Sequence, residues 1–278
     1  MVNIDEVNVA RKESIAENMT RRQIEALGGQ YLVENDDAIS VNCLGNLPIW
    51  LLKDDVSLTP SISHSYYWEA WITSWFTRNI KRGDIFYDIG ANVGYYSIVG
   101  SILGAKVVSY ECNPKIVKLL KRTNDSGGYK LSIRPIALAD ETKKTTLSFP
   151  GNYNGSASIM VDFEFSKYGE AHHIGVDATT LNKEVEIMGH PSIVKMDIEG
   201  AEELAWNGGR DIWYGNNPPL ITFEYTPKAY SSEFDRELFE NWNVTRIGFD
   251  GIEKSIGIEW VQNLTDWDMI VLRRKDLS

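Results

Sequence analysis

Apolar runs alternate with segments of helical periodicity along most of this chain. The strand-like runs are IFYDIG, KVVSYEC, LSIRPIALAD, KTTLSF, SIVKMDIEG and PLITFEY, and the helical segments include YYSIVGSILG, PKIVKLLKRTND and AEELAWNGG. Near-continuous apolar strands that alternate with helices are typical of a parallel sheet covered on both faces. The pattern therefore predicts an α/β fold with a doubly wound, mostly parallel sheet.

The end of the chain breaks this alternation. The runs NVTRIGFDG and DWDMIVLRRK are predicted to be two strands with no helical segment between them. Strands joined in this way pair antiparallel. We therefore expect an antiparallel pair at one edge of the sheet, with the C-terminal strand in it.

A different pattern precedes residue 80. Residues 5–29 have helical spacing, and AISVNCL and LPIWLL flank the dipeptide GN, which predicts a β-hairpin. The stretch SHSYYWEAWITSWFTRNIKRGD is predicted to be an amphipathic helix with a wide aromatic face. We expect this face to pack on the sheet, and Tyr66 or Trp68 at the helix start is also available to stack on a substrate.

Length and composition limit the domain count. A chain of 278 residues corresponds to one large α/β domain or one domain with an appended segment. The sequence contains no long linker rich in proline or serine. We therefore predict that residues 1–80 form an N-terminal extension packed on a domain of residues 81–278.

Charge and hydropathy indicate which kinds of molecule the protein is expected to bind. No apolar run approaches the roughly 20 residues that a transmembrane helix needs, and the first residues lack an apolar signal core, so we expect a cytoplasmic protein without membrane contact. The net charge of −11 argues against nucleic acid as a substrate. Cys43 and Cys112 have no metal-type spacing, and we expect both to be reduced.

The loop GANVG, residues 90–94, follows the first core strand. Ligands of doubly wound sheets bind outside the carboxyl ends of the strands, and glycines let the backbone turn sharply and approach a ligand closely. The dinucleotide fingerprint G-x-G-x-x-G is absent, because Asn92 stands at the second glycine and Tyr95 at the third. Asp88 would direct negative charge toward the site. The loop therefore favours a cationic ligand without phosphates.

Glu111 ends the next predicted strand, 23 residues after Asp88. An acidic side chain at this place can accept hydrogen bonds from both hydroxyls of a ribose. The loop and the acid together indicate a ligand of the adenosine type. The alternative is a tight strand–helix turn beside a surface glutamate.

The motifs YDIGANVGYYS, YECNP and IVKMDIEGAE together resemble the S-adenosylmethionine-dependent methyltransferases of the FkbM type. The resemblance runs from about residue 40 to the C-terminus and includes YWEAW, SAS and VDATTL. It implies a class I methyltransferase-like fold whose last strand is antiparallel. It also implies methylation of hydroxyl groups on sugars or natural products.

The resemblance also carries roles over to individual residues. It implies that four residues surround the methionine part and the sulfonium of the cofactor: Asp88, Gly90, Asn92 and Gly94. Glu111 would hold the ribose, and Asn113 would support the adenine edge. Asn124 and Asp140 are weaker candidates for the adenine side, and a simple turn at ALADET is the alternative for Asp140.

A dense polar group falls at the ends of two later strands, in KMDIEGAE and TFEYTP. Its members are Lys195, Asp197, Glu199, Glu202 and Glu224. Lys195 and Asp197 have the same parity, so their side chains point to one face of the strand. The alternative to a catalytic role is that Lys195 forms a structural ion pair with a nearby carboxylate, because an unpaired charge inside an apolar strand is costly.

Methyl transfer to a hydroxyl needs a general base, a metal ion or both. We favour Asp197 as the base or a metal ligand, with Lys195, Glu199 and Glu224 as further catalytic candidates. Asp197 and Glu224 with waters would suit Mg²⁺, although these carboxylates could instead only balance Lys195. Glu199 precedes a helix, where an acid also stabilises the N-terminus.

His173, next to His172, lies in the polar insertion FSKYGEAHHIGVD. Histidine is a natural base near neutral pH, and a loop here could fold over the acceptor. The alternative is a pair of solvent-exposed histidines in a loop.

The leading hypothesis is an S-adenosylmethionine-dependent O-methyltransferase that acts on a saccharide or a small hydroxylated metabolite. A non-catalytic module that binds S-adenosylmethionine or a partner protein is one alternative, and an NAD-dependent oxidoreductase is another. The expected partner is a small-molecule or glycan acceptor. A homo-oligomer is left open.

Overall fold

The computed structural model describes residues 31–34, 37–150, 157–160 and 171–277. The predicted helix over residues 5–29 lies outside this part of the chain. Within it, no helix is long and apolar enough to cross a membrane. Cys43 and Cys112 are both free thiols.

A small antiparallel sheet opens the described chain. Its strands are β1 (Tyr31–Glu34), β2 (Ala38–Cys43) and β3 (Leu47–Leu52), in the order β1-β2-β3. The turn between β2 and β3 contains the GN dipeptide, which confirms the predicted hairpin.

Two helices follow where one was predicted. They are α1 (Leu58–Ser65) and α2 (Ala70–Asn79). Tyr66 ends α1 with a left-handed φ of 65°, and Glu69 precedes α2 with a φ of 40°. A left-handed residue closes a helix because it cannot continue the right-handed spiral, so the single long helix is wrong.

The remaining elements alternate in the expected way. The strands are β4 (Ile85–Ile89), β5 (Lys106–Tyr110), β6 (Ser132–Arg134), β7 (Ala137–Leu138), β8 (Lys143–Pro150), β9 (Ala171–Thr179), β10 (Ile193–Met196), β11 (Leu220–Tyr225), β12 (Trp242–Ile247), β13 (Glu253–Ser255) and β14 (Asp268–Arg274). The helices are α3 (Tyr95–Ile102), α4 (Pro114–Gly127), α5 (Leu181–Met188), α6 (Glu202–Asn207), α7 (Arg210–Trp213), α8 (Ser232–Asn241) and α9 (Ile258–Gln262).

The central sheet has the order β13-β12-β14-β11-β10-β4-β5-β6. Strands β11, β10, β4, β5 and β6 are parallel, and β14 runs antiparallel between β11 and β12. The chain proceeds from β4 to β5 and β6 on one side and later adds β10 and β11 on the other. The strand order therefore switches between β4 and β10, and the doubly wound class I methyltransferase-like fold is confirmed.

Two local predictions are wrong. The short strand β13 and the helix α9 lie between β12 and β14, so this connection does contain a helical segment. His172 and His173 lie on β9, which pairs with β8 from Pro150 to Lys143, and not in a loop. The strand β9 is held by its antiparallel pairing with β8, and α9 has only five residues, too few for helical periodicity to be recognised.

Apolar side chains cover both faces of the central sheet. The buried residues on one face include Ile72, Trp75, Phe76, Phe86, Ile98 and Val99, and those on the other include Val194, Trp206, Trp213, Phe223 and Trp242. Trp75 and Phe76 are 1% and 0% exposed, so this part of the predicted aromatic face does pack on the sheet.

The β2–β3 hairpin packs against α4. The backbone N–H of Trp50 donates to Thr123 Oγ1 at 3.0 Å, and its indole Nε1–H donates to Ser126 Oγ at 2.8 Å. The guanidinium of Arg122 lies 3.7 Å from the centre of the Trp50 ring. The hairpin thus belongs to the same core, while a domain boundary at residue 80 stays a prediction.

Candidate functional site

A cavity of about 710 Å³ opens at the carboxyl ends of β4, β5, β10 and β11. It lies where the strand order switches, which is the usual ligand position in such sheets. Residues of α1, α2 and the turn between them also line it, among them Leu58, Tyr67, Trp68, Glu69 and Trp71. The segment before the first core strand therefore contributes directly to the cavity.

The loop after β4 follows its predicted course. Gly90 has a φ of +76°, and a Cβ on this residue would lie 1.8 Å from the backbone oxygen of Asp197. Asn92 lines the cavity with a φ of 51°, and its side-chain Oδ1 is buried without a hydrogen-bond partner. A Cβ on Gly94 would meet Leu120 Cδ1 at 2.6 Å, so Gly94 serves the packing of α3 against α4 and does not line the cavity.

We expect Gly90→Ala to lower the free energy of unfolding by about 2–5 kcal/mol, because it combines a left-handed φ with a steric clash. Gly128→Ala is the matched control, since Gly128 has a φ of +63° but open space around its Cβ position, and it should cost about 1–2 kcal/mol. Denaturant unfolding measures both values. Equal losses would show that the approach of Gly90 to Asp197 has no energetic consequence.

Glu111 lies at the end of β5 and lines the cavity. Its Oε2 accepts a hydrogen bond from the Asn92 N–H at 3.0 Å, and its Oε1 accepts one from the Asn113 N–H at 2.8 Å. Burial raises the pKa of Glu111 to about 7, and these backbone N–H groups oppose the shift. The carboxylate keeps unused lone pairs toward the cavity, so it can accept further hydrogen bonds from a ligand.

Asn113 also has a structural role as a helix cap. Its Oδ1 accepts a hydrogen bond from the Lys115 N–H at 3.0 Å and so caps the N-terminus of α4. The side chain is 3% exposed. Asn113 lines the cavity, but its carbonyl oxygen already has a partner.

The resemblance implies that Glu111 holds the ribose of the cofactor, and on that expectation the affinity for S-adenosylhomocysteine should fall about tenfold between pH 8 and pH 6. A carboxyl group with a pKa of about 7 is mostly ionised at pH 8 and about nine-tenths protonated at pH 6, where it accepts hydrogen bonds less well. Asp88 and Cys112 are its titratable neighbours. Titration calorimetry at both pH values measures the effect. Glu111→Gln should remove most of the pH dependence, and a variant that keeps all of it would assign the titration to another group.

Asp88 is fully buried and does not line the cavity. Its Oδ2 accepts a hydrogen bond from Ser97 Oγ at 2.6 Å, and its Oδ1 lies 3.7 Å from Lys195 Nζ. Asp88 and Lys195 are directly paired in the register of β4 and β10. Asp88 is thus the partner of a buried lysine.

Two weaker candidates for the adenine side lie away from the cavity. Asp140 is exposed and forms an ion pair of 3.0 Å with Lys143. Asn124 accepts a hydrogen bond from the Leu131 N–H at the end of α4. Both residues have local partners that account for their positions.

Lys195 lies between the buried Asp88 and the cavity residue Asp197. Its Nζ lies 3.2 Å from Asp197 Oδ2, and 5.2 Å from the ring centre of Tyr96. Burial alone would lower its pKa, but the charges of Asp197 and Asp88 outweigh burial and raise the pKa overall. Lys195 therefore stays protonated and orients Asp197 at the strand tip.

Carboxylates converge beside Asp197. Oxygen atoms of Asp197, Glu199 and Glu224 all lie within 4.8 Å of one another. Burial, together with the charge of Asp197, raises the pKa of Glu199 and of Glu224 well above the usual value. Glu199 also adopts a left-handed φ of 56°, a conformation that costs free energy in a residue other than glycine.

Glu202 forms hydrogen bonds next to this group of carboxylates. Its Oε1 accepts a hydrogen bond from the Ile198 N–H at 2.8 Å, and its Oε2 lies 2.8 Å from the Tyr230 hydroxyl. That hydroxyl is also 2.9 Å from the Glu224 carbonyl oxygen. Glu202 and Tyr230 thus connect the loop after β10 with the end of β11.

Glu69 and Tyr96 are cavity residues that were not predicted as site residues. The Tyr96 hydroxyl donates to Glu69 Oε2 at 2.7 Å, and both residues line the cavity. Glu69 falls within the motif YWEAW, which was the available signal, but a predicted continuous helix gave no reason for it to face the site. His173, by contrast, is exposed on β9, with Nδ1 2.9 Å from Ser148 Oγ, and does not line the cavity.

The family model described as the methyltransferase FkbM domain matches residues 88–246. This chain belongs to the FkbM methyltransferase family. The matched range begins at Asp88 and includes Glu111 and the carboxylates near the ends of β10 and β11. The FkbM methyltransferase is accordingly an enzyme that uses S-adenosylmethionine as its methyl donor.

Three solved structures illustrate what this FkbM methyltransferase is similar to in fold. A precorrin-6Y C5,15-methyltransferase from Geobacter metallireducens GS-15 is 11% identical, with a TM-score of 0.42 over 74% of this chain and 87% of that chain. An S-adenosylmethionine-dependent methyltransferase from Agrobacterium tumefaciens is 12% identical, with a TM-score of 0.45 over 87% and 72%. A tRNA (uracil-54, C5)-methyltransferase from Pyrococcus abyssi, in complex with S-adenosyl-L-homocysteine, is 10% identical, with a TM-score of 0.45 over 86% and 44%. A search of curated proteins found no match.

Proposed function

We propose that this enzyme transfers the methyl group of S-adenosylmethionine to a hydroxyl of a saccharide or another small hydroxylated metabolite. The observation that carries the proposal is one cavity lined by both Glu111 with the glycine loop and by Asp197 with its neighbouring carboxylates. The first set suits a nucleoside and the second suits proton removal from an acceptor. The net charge of −11 disfavours a nucleic acid as the acceptor.

The residues at the cofactor end fit S-adenosylmethionine. Gly90 lines the cavity and lets its backbone approach Asp197 closely, and Asn92 has a buried Oδ1 without a partner. Glu111 would accept hydrogen bonds from the ribose, and Asn113 would border the adenine. Asp88 and Gly94 would act on this end only indirectly, through Lys195 and the α3–α4 packing. When bound, the cofactor supplies a methyl group that already carries its leaving group.

At the acceptor end, the protein must orient a hydroxyl and remove its proton. Asp197 stands at the tip of β10, and the ammonium of Lys195 orients its carboxylate. We assign proton removal to Asp197. Glu199 and Glu224 would hold further hydroxyls of the acceptor, since both line the cavity and their carboxylate oxygens lie within 4.8 Å of that of Asp197.

The proposed function is tested by incubating the protein with radiolabelled S-adenosylmethionine and a panel of monosaccharides, glycosides and small polyols. We expect label in one class of acceptor, with a mass increase of one methyl group on oxygen. Titration calorimetry should show heat with S-adenosylhomocysteine and none with NAD⁺. Cofactor binding without transfer to any hydroxylated compound would overturn the proposal and favour a module that only binds the cofactor.

We expect EDTA to leave turnover unchanged. The raised pKa of Glu199 and Glu224 lets a proton, in place of a metal ion, offset charge beside Asp197. The measurement compares initial rates before and after dialysis against EDTA, with added Mg²⁺ as the control. A loss of rate that Mg²⁺ restores would make Asp197 and Glu224 metal ligands.

A further inference from the structure

The side of the cavity formed by α1, α2 and the turn between them is largely apolar. Five residues that line the cavity are called the apolar wall here: Val56, Tyr67, Trp68, Trp71 and Trp267. The three tryptophans are half-buried and pack against the core while also lining the cavity. Of the two residues predicted to be available for stacking on a substrate, Trp68 lines the cavity and Tyr66 does not.

Part of the apolar wall is open to solvent. Val56 is 56% exposed and Tyr67 is 46% exposed. The ring of Phe249 packs edge-on against Trp71, with 5.0 Å between the ring centres, and is itself 37% exposed. The apolar surface therefore continues from the cavity onto the turn between β12 and β13. Contiguous exposed apolar surface of this kind is typical of a binding site.

A short series of contacts connects the apolar wall with the proposed base. Lys195 Nζ lies 3.2 Å from Asp197 Oδ2 and 5.2 Å from the ring centre of Tyr96. The Tyr96 hydroxyl donates to Glu69 Oε2 at 2.7 Å, and Glu69 directly follows Trp68 in the chain. A molecule whose hydroxyl is bound at Asp197 therefore has the apolar wall beside it.

A small molecule fits the apolar wall better than a protein partner does. The wall lines a concave cavity together with Asp197 and Tyr96. Concave sites that combine apolar and aromatic side chains with a few polar groups are typical of small-molecule ligands. The occupant that this position favours is thus the acceptor itself.

We propose that the acceptor carries an apolar alkyl or aryl group near its reacting hydroxyl, and that the apolar wall binds this group. The inference rests on the proposed function. Removing apolar surface from water stabilises a complex roughly in proportion to the area buried. A sugar without an apolar group would leave much of the wall in contact with water. The substrate class is thus an amphiphilic hydroxyl compound, such as an alkyl or aryl glycoside.

The test uses the full chain saturated with S-adenosylhomocysteine and two probes, methyl β-D-glucopyranoside and hexyl β-D-glucopyranoside. The probes differ only in the length of the alkyl chain. Complete burial of one methylene is worth about fourfold in affinity, so even partial burial of the hexyl chain should give at least about tenfold tighter binding. NMR titration below the micellar concentration measures both affinities. Equal affinity, or no binding of either probe, would overturn the inference.

Two variants and two matched controls assign the preference to the apolar wall. Tyr67→Ser and Val56→Ser should each reduce the preference for the hexyl glucoside at least about threefold, with the affinity for S-adenosylhomocysteine unchanged. Both side chains are exposed, so their replacement should leave the fold intact. The controls are Tyr66→Ser and Ile187→Ser, which alter side chains that are 43% and 64% exposed and do not line the cavity. Both controls should keep the wild-type preference.

The outcomes distinguish this inference from the proposed function. Failure to bind S-adenosylhomocysteine would remove the proposed function and this inference together. Binding of S-adenosylhomocysteine with equal affinity for the two glucosides would remove only the apolar group and would favour a macromolecular partner for the wall. A preference that survives in both Tyr67→Ser and Val56→Ser would place the hexyl chain elsewhere and overturn the inference.

Discussion

Asp197→Asn is expected to lower methyl transfer by about 10²–10⁴-fold, the range typical for loss of a general base. Asparagine keeps the size of the side chain and can still approach Lys195, but it cannot take the proton of the acceptor. The affinity for S-adenosylhomocysteine should change by less than about threefold. The measurement is initial rate with labelled donor, accompanied by calorimetric titration of S-adenosylhomocysteine and a thermal unfolding curve.

Two control variants accompany Asp197→Asn. Asp177→Asn changes an exposed carboxylate that pairs with Lys144 and should keep wild-type turnover. Asp88→Asn removes the other partner of Lys195 without altering a cavity residue, so it reports the effect of disturbing Lys195 alone. Wild-type turnover in Asp197→Asn would move proton removal to Glu199 or Glu224, since His173 does not line the cavity.

Glu111→Ala is expected to weaken binding of S-adenosylhomocysteine by about 1–3 kcal/mol, or about 5- to 150-fold in the dissociation constant. The variant removes the carboxylate that would accept the ribose hydroxyls. It also leaves the N–H groups of Asn92 and Asn113 without their acceptor, which loosens the loop that borders the nucleoside. Calorimetric titration at pH 8, where Glu111 is ionised, gives the full effect.

The matched control for this variant is Glu141→Ala. Glu141 is an exposed carboxylate beside Lys143 and does not line the cavity. Its replacement should leave the dissociation constant unchanged. Equal affinity in Glu111→Ala and the wild type would take Glu111 out of the cofactor site and leave the nucleoside without its proposed anchor.

The elements predicted correctly are those in which the local sequence pattern favours the same structure that the fold requires. The apolar runs that became β4, β5, β10 and β11 are strongly patterned, and so are the helices α3 and α4. Gly90 and Glu111 follow strand ends directly, so the fold class alone brings them to one edge of the sheet. Asp197 belongs to the same set, because it follows the last residue of β10.

The wrong predictions arise where tertiary contacts override the local pattern. The aromatic segment before β4 has helical spacing throughout, yet it breaks at Tyr66 and Glu69 because two helices pack separately against the core. His173 looked like a loop residue, but eight residues of β8 pair with its strand. Asp88 precedes the glycine loop, where a ligand-binding residue is expected. Only the pairing of β4 with β10, which places Asp88 opposite Lys195, shows that its side chain faces the core.

The sequence by itself determined the sheet class, the glycine loop and the acids at the strand tips, because strand period, helix period and turn chemistry act over a few residues. The tertiary structure alone decided which side chains share the cavity. The charge of Glu69 contributes to the raised pKa of Glu199 and Glu224, which follow it by about 130 and 155 residues, a separation over which sequence periodicity carries no information. The strand register and the left-handed turn at Glu69 place these side chains at the same cavity. Both depend on contacts that form only when the whole core is packed.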